Sequence, residues 1–141
     1  MFRYFARCAG FGLLLFGGAC VSVRAAFCGP AADTTAIEKL TIQAHNTNPL
    51  SKVHQIDETF VFQVDAQGDY GYSMVGMPQG MGSYYWHRDD SGWHLVPSGN
   101  PPASWPAQVR THFDNDVNSM GYGNGKTRCA NPNYKDRSAG G

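Results

Sequence analysis

The stretch Phe60-Val61-Phe62-Gln63-Val64-Asp65-Ala66-Gln67-Gly68-Asp69-Tyr70-Gly71-Tyr72-Ser73-Met74 decides how this chain folds. Phe60, Phe62 and Val64 alternate with Thr59, Val61 and Gln63, which is the period of a half-buried strand. Asp65-Ala66-Gln67-Gly68 has the composition of a type I turn closing on a left-handed glycine, a three-residue hairpin loop. That loop pairs Val64 with Tyr70, Phe62 with Tyr72 and Phe60 with Met74, and it puts all six large side chains on one face. Turn chemistry and hydrophobic pattern agree, so a hairpin is expected here.

Asp89-Asp90-Ser91-Gly92 repeats the device and joins a strand over 83–88 to another over 93–96. By analogy Trp86 lies opposite Val96, Arg88 opposite His94, and His87 opposite Leu95. A register shifted by one residue would instead face His87 with His94. Gly76 to Gly82, with Met77 and Met81, reads as a flexible loop between the two hairpins, and Pro97 to Pro102 as a rigid turn. The flanks are helical. Thr35-Ala36-Ile37-Glu38 has capping-box spacing, and Ile37, Leu40 and Ala44 follow on one side, so a helix is expected over 34–45. Asn48-Pro49 stops it. Ser104 is placed to cap a second helix with Pro106 in its first turn, and Val109, Phe113 and Val117 form its apolar stripe. The expected fold is α+β: a four-stranded antiparallel meander with an N-terminal and a C-terminal helix packed on one face.

The ends of the chain carry its address. Arg3 and Arg7 precede sixteen uncharged residues, Cys8 to Val23, and Val23-Arg24-Ala25 supplies small residues at the −3 and −1 positions. This is the pattern of a secretory leader over 1–25, too short for a membrane span. Gly18-Ala19-Cys20 offers the minority alternative, a lipid anchor on Cys20. The mature chain is then a single domain over 26–133 with a disordered tail over 134–141, periplasmic or secreted, with no membrane span. Removing the leader leaves 8 basic against 11 acidic residues, a net charge of −3. That sign opposes nucleic acid. It also leaves only Cys28 and Cys129, which read as one disulfide in an exported domain. The loop-entropy model gives such a closure about 4–5 kcal/mol.

Chemistry-bearing residues are few. His87, Asp89 and His94, with Asp90, crowd one hairpin and could build an acid–base or metal site. Met77 and Met81, with Met74 and Met120, offer soft thioethers of the kind that bind copper. His45, His54 and His112 are scattered, Gly121 to Lys126 reads as a loop, and no nucleophile motif is present. No cofactor is implied. Aromatic residues make up 13% of the chain, more than one small core needs. Tyr72, Tyr84, Trp86 and Trp105 are therefore candidates for a contact surface toward an envelope protein or a cell-wall glycan.

The run Ser83-Tyr84-Tyr85-Trp86-His87-Arg88-Asp89-Asp90-Ser91-Gly92-Trp93-His94-Leu95-Val96, followed by Pro101-Pro102 and an amphipathic helix, resembles small exported bacterial proteins of unassigned function. In these a strand, a D-x-x-G-W turn and a second strand precede a Pro-rich turn. The resemblance implies an α+β envelope protein and no activity, so it assigns no catalytic residue. The expected function is a non-catalytic exported binding or accessory protein, such as an inhibitor. The alternatives are a small hydrolase at the His/Asp hairpin and a Met/His copper binder.

Overall fold

The computed structural model describes residues 27–48, 55–78, 80–119 and 129–137. The expected leader, Cys20, His54, Met120 and the glycine-rich segment 121–126 lie outside them. Strand β1 (Val61–Gln67) does not turn at Asp65 but runs through it, and the chain reverses over Gly68 and Asp69 into β2 (Tyr70–Met77). Gly68 has φ +62° at the first loop position, where a two-residue type II′ turn takes glycine. That shorter loop matches the twist of paired strands and keeps three more residues in the ladder. The register is therefore not the expected one. Asp65 faces Tyr72, Val64 faces Ser73 and Gln63 faces Met74, with a bulge between Val61 and Gln63.

Strand β3 (Gly80–Asp89) and β4 (Gly92–Leu95) complete an antiparallel sheet in the order β1-β2-β3-β4. The loop expected over 76–82 is mostly strand, because Gly76, Met77 and Gly80 to Gly82 all pair. The second hairpin also closes on two residues, Asp90 and Ser91. It takes the shifted register, with Trp86 facing Leu95, His87 facing His94 and Arg88 facing Trp93. Helix α1 (Ala31–Thr47) starts directly after Pro30, so the Thr35–Glu38 box lies inside it and caps nothing. Helix α2 (Ala107–Ser119) starts after Pro106, not at a Ser104 cap. The Pro106 carbonyl accepts from the Val109 and Arg110 N–H groups.

The α+β class and the meander are as expected, but the helices are not on one face. On β2 the residues Gly71, Ser73 and Val75 point one way and Tyr70, Tyr72 and Met74 the other. Helix α1 covers the small-residue face. Its Ile37 packs with Val61, Val64, Ala66, Val75 and Trp86. Its Thr41 hydroxyl is 2.6 Å from the Ser73 hydroxyl, which also accepts from Trp86 Nε1 at 2.8 Å. Helix α2 covers the opposite face, where Phe113 packs with Tyr72, Met74, Tyr85 and Trp105. Counting only large side chains hid the first face, because small residues are what let a helix backbone approach a sheet.

The Cys28–Cys129 disulfide is present, with Cα atoms 4.8 Å apart across 101 residues of sequence. Its two ends line the outer edge of β1. Cys28 N–H donates to Val64 and Ala66 N–H to Cys28, while Val64 N–H donates to Cys129 and Asn131 N–H to Phe62. The tail does not become free at Tyr134, as expected. Tyr134 stacks edge-on against Phe62 at 4.8 Å, and Arg137 bonds Thr59 and lies over the Phe60 ring. Among the described residues no helix is long and apolar enough to cross a membrane.

A methyl group at Gly71 would meet Ile37 Cδ1 at 2.6 Å and Trp86 Cβ at 3.2 Å. Gly71→Ala should therefore lower stability by about 1–3 kcal/mol in urea unfolding. Gly99→Ala, where nothing lies within 4 Å, should change it by less than about 0.5 kcal/mol.

Candidate functional site

Because β1 continues through Asp65, that residue points with Gln63 under α2 instead of lying in a turn. Asp65 is fully buried, and Asp116 on α2 is 1% exposed. His112 lies between them, one helical turn before Asp116 and beside Phe113 on the inward side of the helix. Its Nε2 is 2.6 Å from Asp65 Oδ2 and 3.8 Å from Asp116 Oδ2. The other Asp65 oxygen accepts from Gln67 Nε2 at 2.8 Å. Beside them, the Tyr72 hydroxyl is held far above its ordinary range, first by burial. The Ser83 hydroxyl, 3.4 Å away, and the nearby Gln63 amide oppose that rise, while Tyr85 and the Asp116 carboxylate add to it. Tyr72 thus stays a neutral hydroxyl at any ordinary pH.

Sequence reasoning missed this cluster. A turn beginning at Asp65 keeps that residue away from the core, and His112 stands apart from the other histidines in sequence. The available signal was the i,i+4 spacing of His112 and Asp116 next to the Val109-Phe113-Val117 stripe.

No family model, curated protein or solved structure matches this chain.

The hairpin residues come together in part. His87 and His94 face each other across β3 and β4, so both imidazoles belong to the α2 side of the sheet, contrary to the preferred register. His94 Nε2 is 3.0 Å from Asp89 Oδ1 and 2.7 Å from the Ser91 hydroxyl. All three of His87, Asp89 and His94 are exposed. The Ser91 hydroxyl, followed by the Ser91 N–H and then His94, holds the Asp89 carboxyl down at about 2. These bonds describe a tied turn.

The methionines do not form a pair. Met77 pairs with Gly80 and Met81 with Gly76, so their side chains leave opposite faces of the sheet. Met77 packs on the α1 side and Met81 is exposed. The candidate aromatic surface is core as well: Tyr72, Trp86 and Trp105 are buried, and Tyr84 is half-buried with its hydroxyl 3.0 Å from His45 Nδ1.

What the fold does expose is a sheet edge. Strand β4 is short, and its last contact with β3 is the Val96 N–H donating to the Tyr85 carbonyl. Backbone groups alternate along a strand, so those of Met81 and Ser83 point the same way as those of Tyr85, away from β2. Among the described residues no strand pairs with β3 there. Met81 at 48% and Leu95 at 45% are the exposed large apolar side chains among the described residues, on β3 and β4.

Two outcomes follow. Asp65→Asn replaces one acceptor oxygen with an N–H, which turns a donor toward either Gln67 Nε2 or His112 Nε2. It should cost about 1–3 kcal/mol, read as a lower denaturation midpoint. Ser91→Ala removes the chief cause of the low Asp89 value, so its titration followed by NMR should move from about 2 toward the ordinary value of about 3.9. The depressed value means that this carboxylate favours the fold above the unfolded-state value. That contribution disappears as pH falls through about 2.

Proposed function

We propose that this chain is a non-catalytic exported binding protein that engages a protein partner in the cell envelope by strand addition. The observation that carries the reading is the open edge of β3 at Met81 and Ser83, beyond the end of β4. Alternating outward donors and acceptors are satisfied best by another extended backbone. The occupant is therefore an extended segment of a polypeptide. Met81 and Leu95, both exposed, would give that segment apolar footing on either side of the junction.

The leader-like residues 1–25 and the Cys28–Cys129 pair support an exported setting, since such bridges persist in oxidising compartments. Burial of Tyr72, Trp86 and Trp105 moves the contact surface from the rings to the sheet edge. It also weighs against a glycan, which would need free ring faces to stack on.

A photo-crosslinking residue at Leu95 should yield a discrete protein adduct in cells, and one at exposed Gln55 should yield none. Met81→Pro deletes an outward N–H and is compatible with an edge strand, so it should abolish the Leu95 adduct while unfolding stays cooperative. Equal adducts from Leu95 and Gln55, or turnover of a cell-wall substrate by the purified chain, would overturn the reading.

A further inference from the structure

We propose that Asp65, His112 and Asp116 form a binding site for one divalent transition-metal ion, with zinc as the best-fitting occupant. The three donor atoms, Asp65 Oδ2, His112 Nε2 and Asp116 Oδ2, lie within 4.8 Å of one another. Ligands about 2.0–2.1 Å from a tetrahedral zinc stand roughly 3.4 Å apart. The observed separations from Nε2, 2.6 and 3.8 Å, fall on either side of that value. Small side-chain rotations bring them to it. Two carboxylates with a neutral imidazole carry −2, which matches the charge of the cation.

The donor set selects the metal class. One imidazole nitrogen with two carboxylate oxygens suits zinc and its borderline neighbours, whereas copper(I) calls for thioether or thiolate. Calcium takes six to eight oxygens. Gln67 Nε2 already holds the other Asp65 oxygen at 2.8 Å, an outer-shell bond of the kind that orients a ligating carboxylate.

A second, independent observation points into the same space. Gln63 is fully buried on the Asp65 side of β1, and neither atom of its amide has a partner at hydrogen-bonding geometry among the described residues. The amide lies close enough to the Tyr72 hydroxyl to affect its ionisation, and the Asp116 carboxylate acts on that same hydroxyl. Gln63, Asp65 and Tyr72 lie on the same face of the sheet, the one that α2 covers with His112 and Asp116. A water completing the zinc coordination would have Gln63 and Tyr72 as partners there, within the 2–4 that a buried water needs. His112, 26% exposed, gives the ion its route in. Binding requires the Nε2 proton to move, to Nδ1 in the neutral ring or to solvent from the imidazolium. Affinity therefore falls as pH falls.

The test uses chelator-stripped protein with its disulfide intact, because the Cys28 and Cys129 sulfurs also lie within 4.8 Å of an Asp65 oxygen and would ligate as thiolates. Calorimetric titration with zinc should give one ion per chain. His112→Gln and Asp116→Asn should each weaken binding by more than the roughly 10–100-fold that loss of an outer-shell partner costs. His94→Gln should leave it unchanged. In the unsubstituted chain, zinc should shift the His112 ring nitrogens in NMR spectra, and cobalt(II) should give the intense visible absorption of a four-coordinate site. These two readouts stand even where a variant fails to fold. Absence of binding, binding untouched by His112→Gln and Asp116→Asn, or binding lost in His94→Gln would each overturn the proposal.

Discussion

The outer edge of β1 is closed at Val64. Its N–H donates to Cys129 and its carbonyl accepts from Cys28, and the disulfide joins those two residues. Segments from the two ends of the described chain therefore share one strand edge, the N-terminal one over Val64 and Ala66 and the C-terminal one over Phe62 and Val64. Local geometry depends on this closure. Gly29 runs at φ +114° where a methyl group would strike the Ala66 carbonyl at 2.7 Å, so only glycine fits. Cys129 sits at φ +64°, a conformation that costs a side-chain-bearing residue about 1–2 kcal/mol. An exposed edge strand is a template for unwanted pairing. Covering β1 removes that hazard and keeps Asp65 and Gln63 away from water.

The two edges of the sheet are treated differently. β1 is sealed by covalent closure and by the docked segment ending in Tyr134 and Arg137. Among the described residues, β3 keeps its outward groups at Met81 and Ser83 unpaired, β4 being only four residues long. Extending β4 toward the Pro97–Pro102 turn would cover them. The turn begins instead right after Val96, with the Ser98 N–H returning to the Val96 carbonyl. The strand-addition proposal rests on that edge because there, among the described residues, the backbone itself has hydrogen bonds to give.

Class, strand order and the α2 stripe were legible because hydrophobic period and helix stops are local. The hairpin registers were less so. D-A-Q-G and Q-G-D-Y are overlapping turn candidates, and their difference is one of strand twist, which sequence pattern does not encode. At the second hairpin the same ambiguity was visible, and the shifted alternative is the one the chain adopts. The faces were misassigned for a different reason. Gly71 and Ser73 look like weak points in a strand, yet each supports a specific contact, with Ile37 Cδ1 and with Thr41 and Trp86. The buried acid cluster was hidden by the register error, since Asp65 becomes inward-facing only when β1 continues to Gln67.

The helices are held by different means, and this bears on which part of the molecule can respond to a ligand. Helix α1 has Ile37 in the core, the Thr41–Ser73–Trp86 hydrogen-bond chain, and Asp33 paired with Arg88 at 2.6 Å. Each tie reaches a different strand or side-chain layer, so loosening one leaves the others. Among the described residues, helix α2 has the Phe113 contacts with the ring cluster and a polar tie to β1 from His112 to Asp65. Local opening begins where ties are few. His112 and Asp116 project from α2 onto a carboxylate fixed to the sutured strand, so any ion or proton exchanged there acts across the helix–sheet boundary. A ligand gained at that boundary would draw α2 against a strand whose outer edge is already closed at Val64.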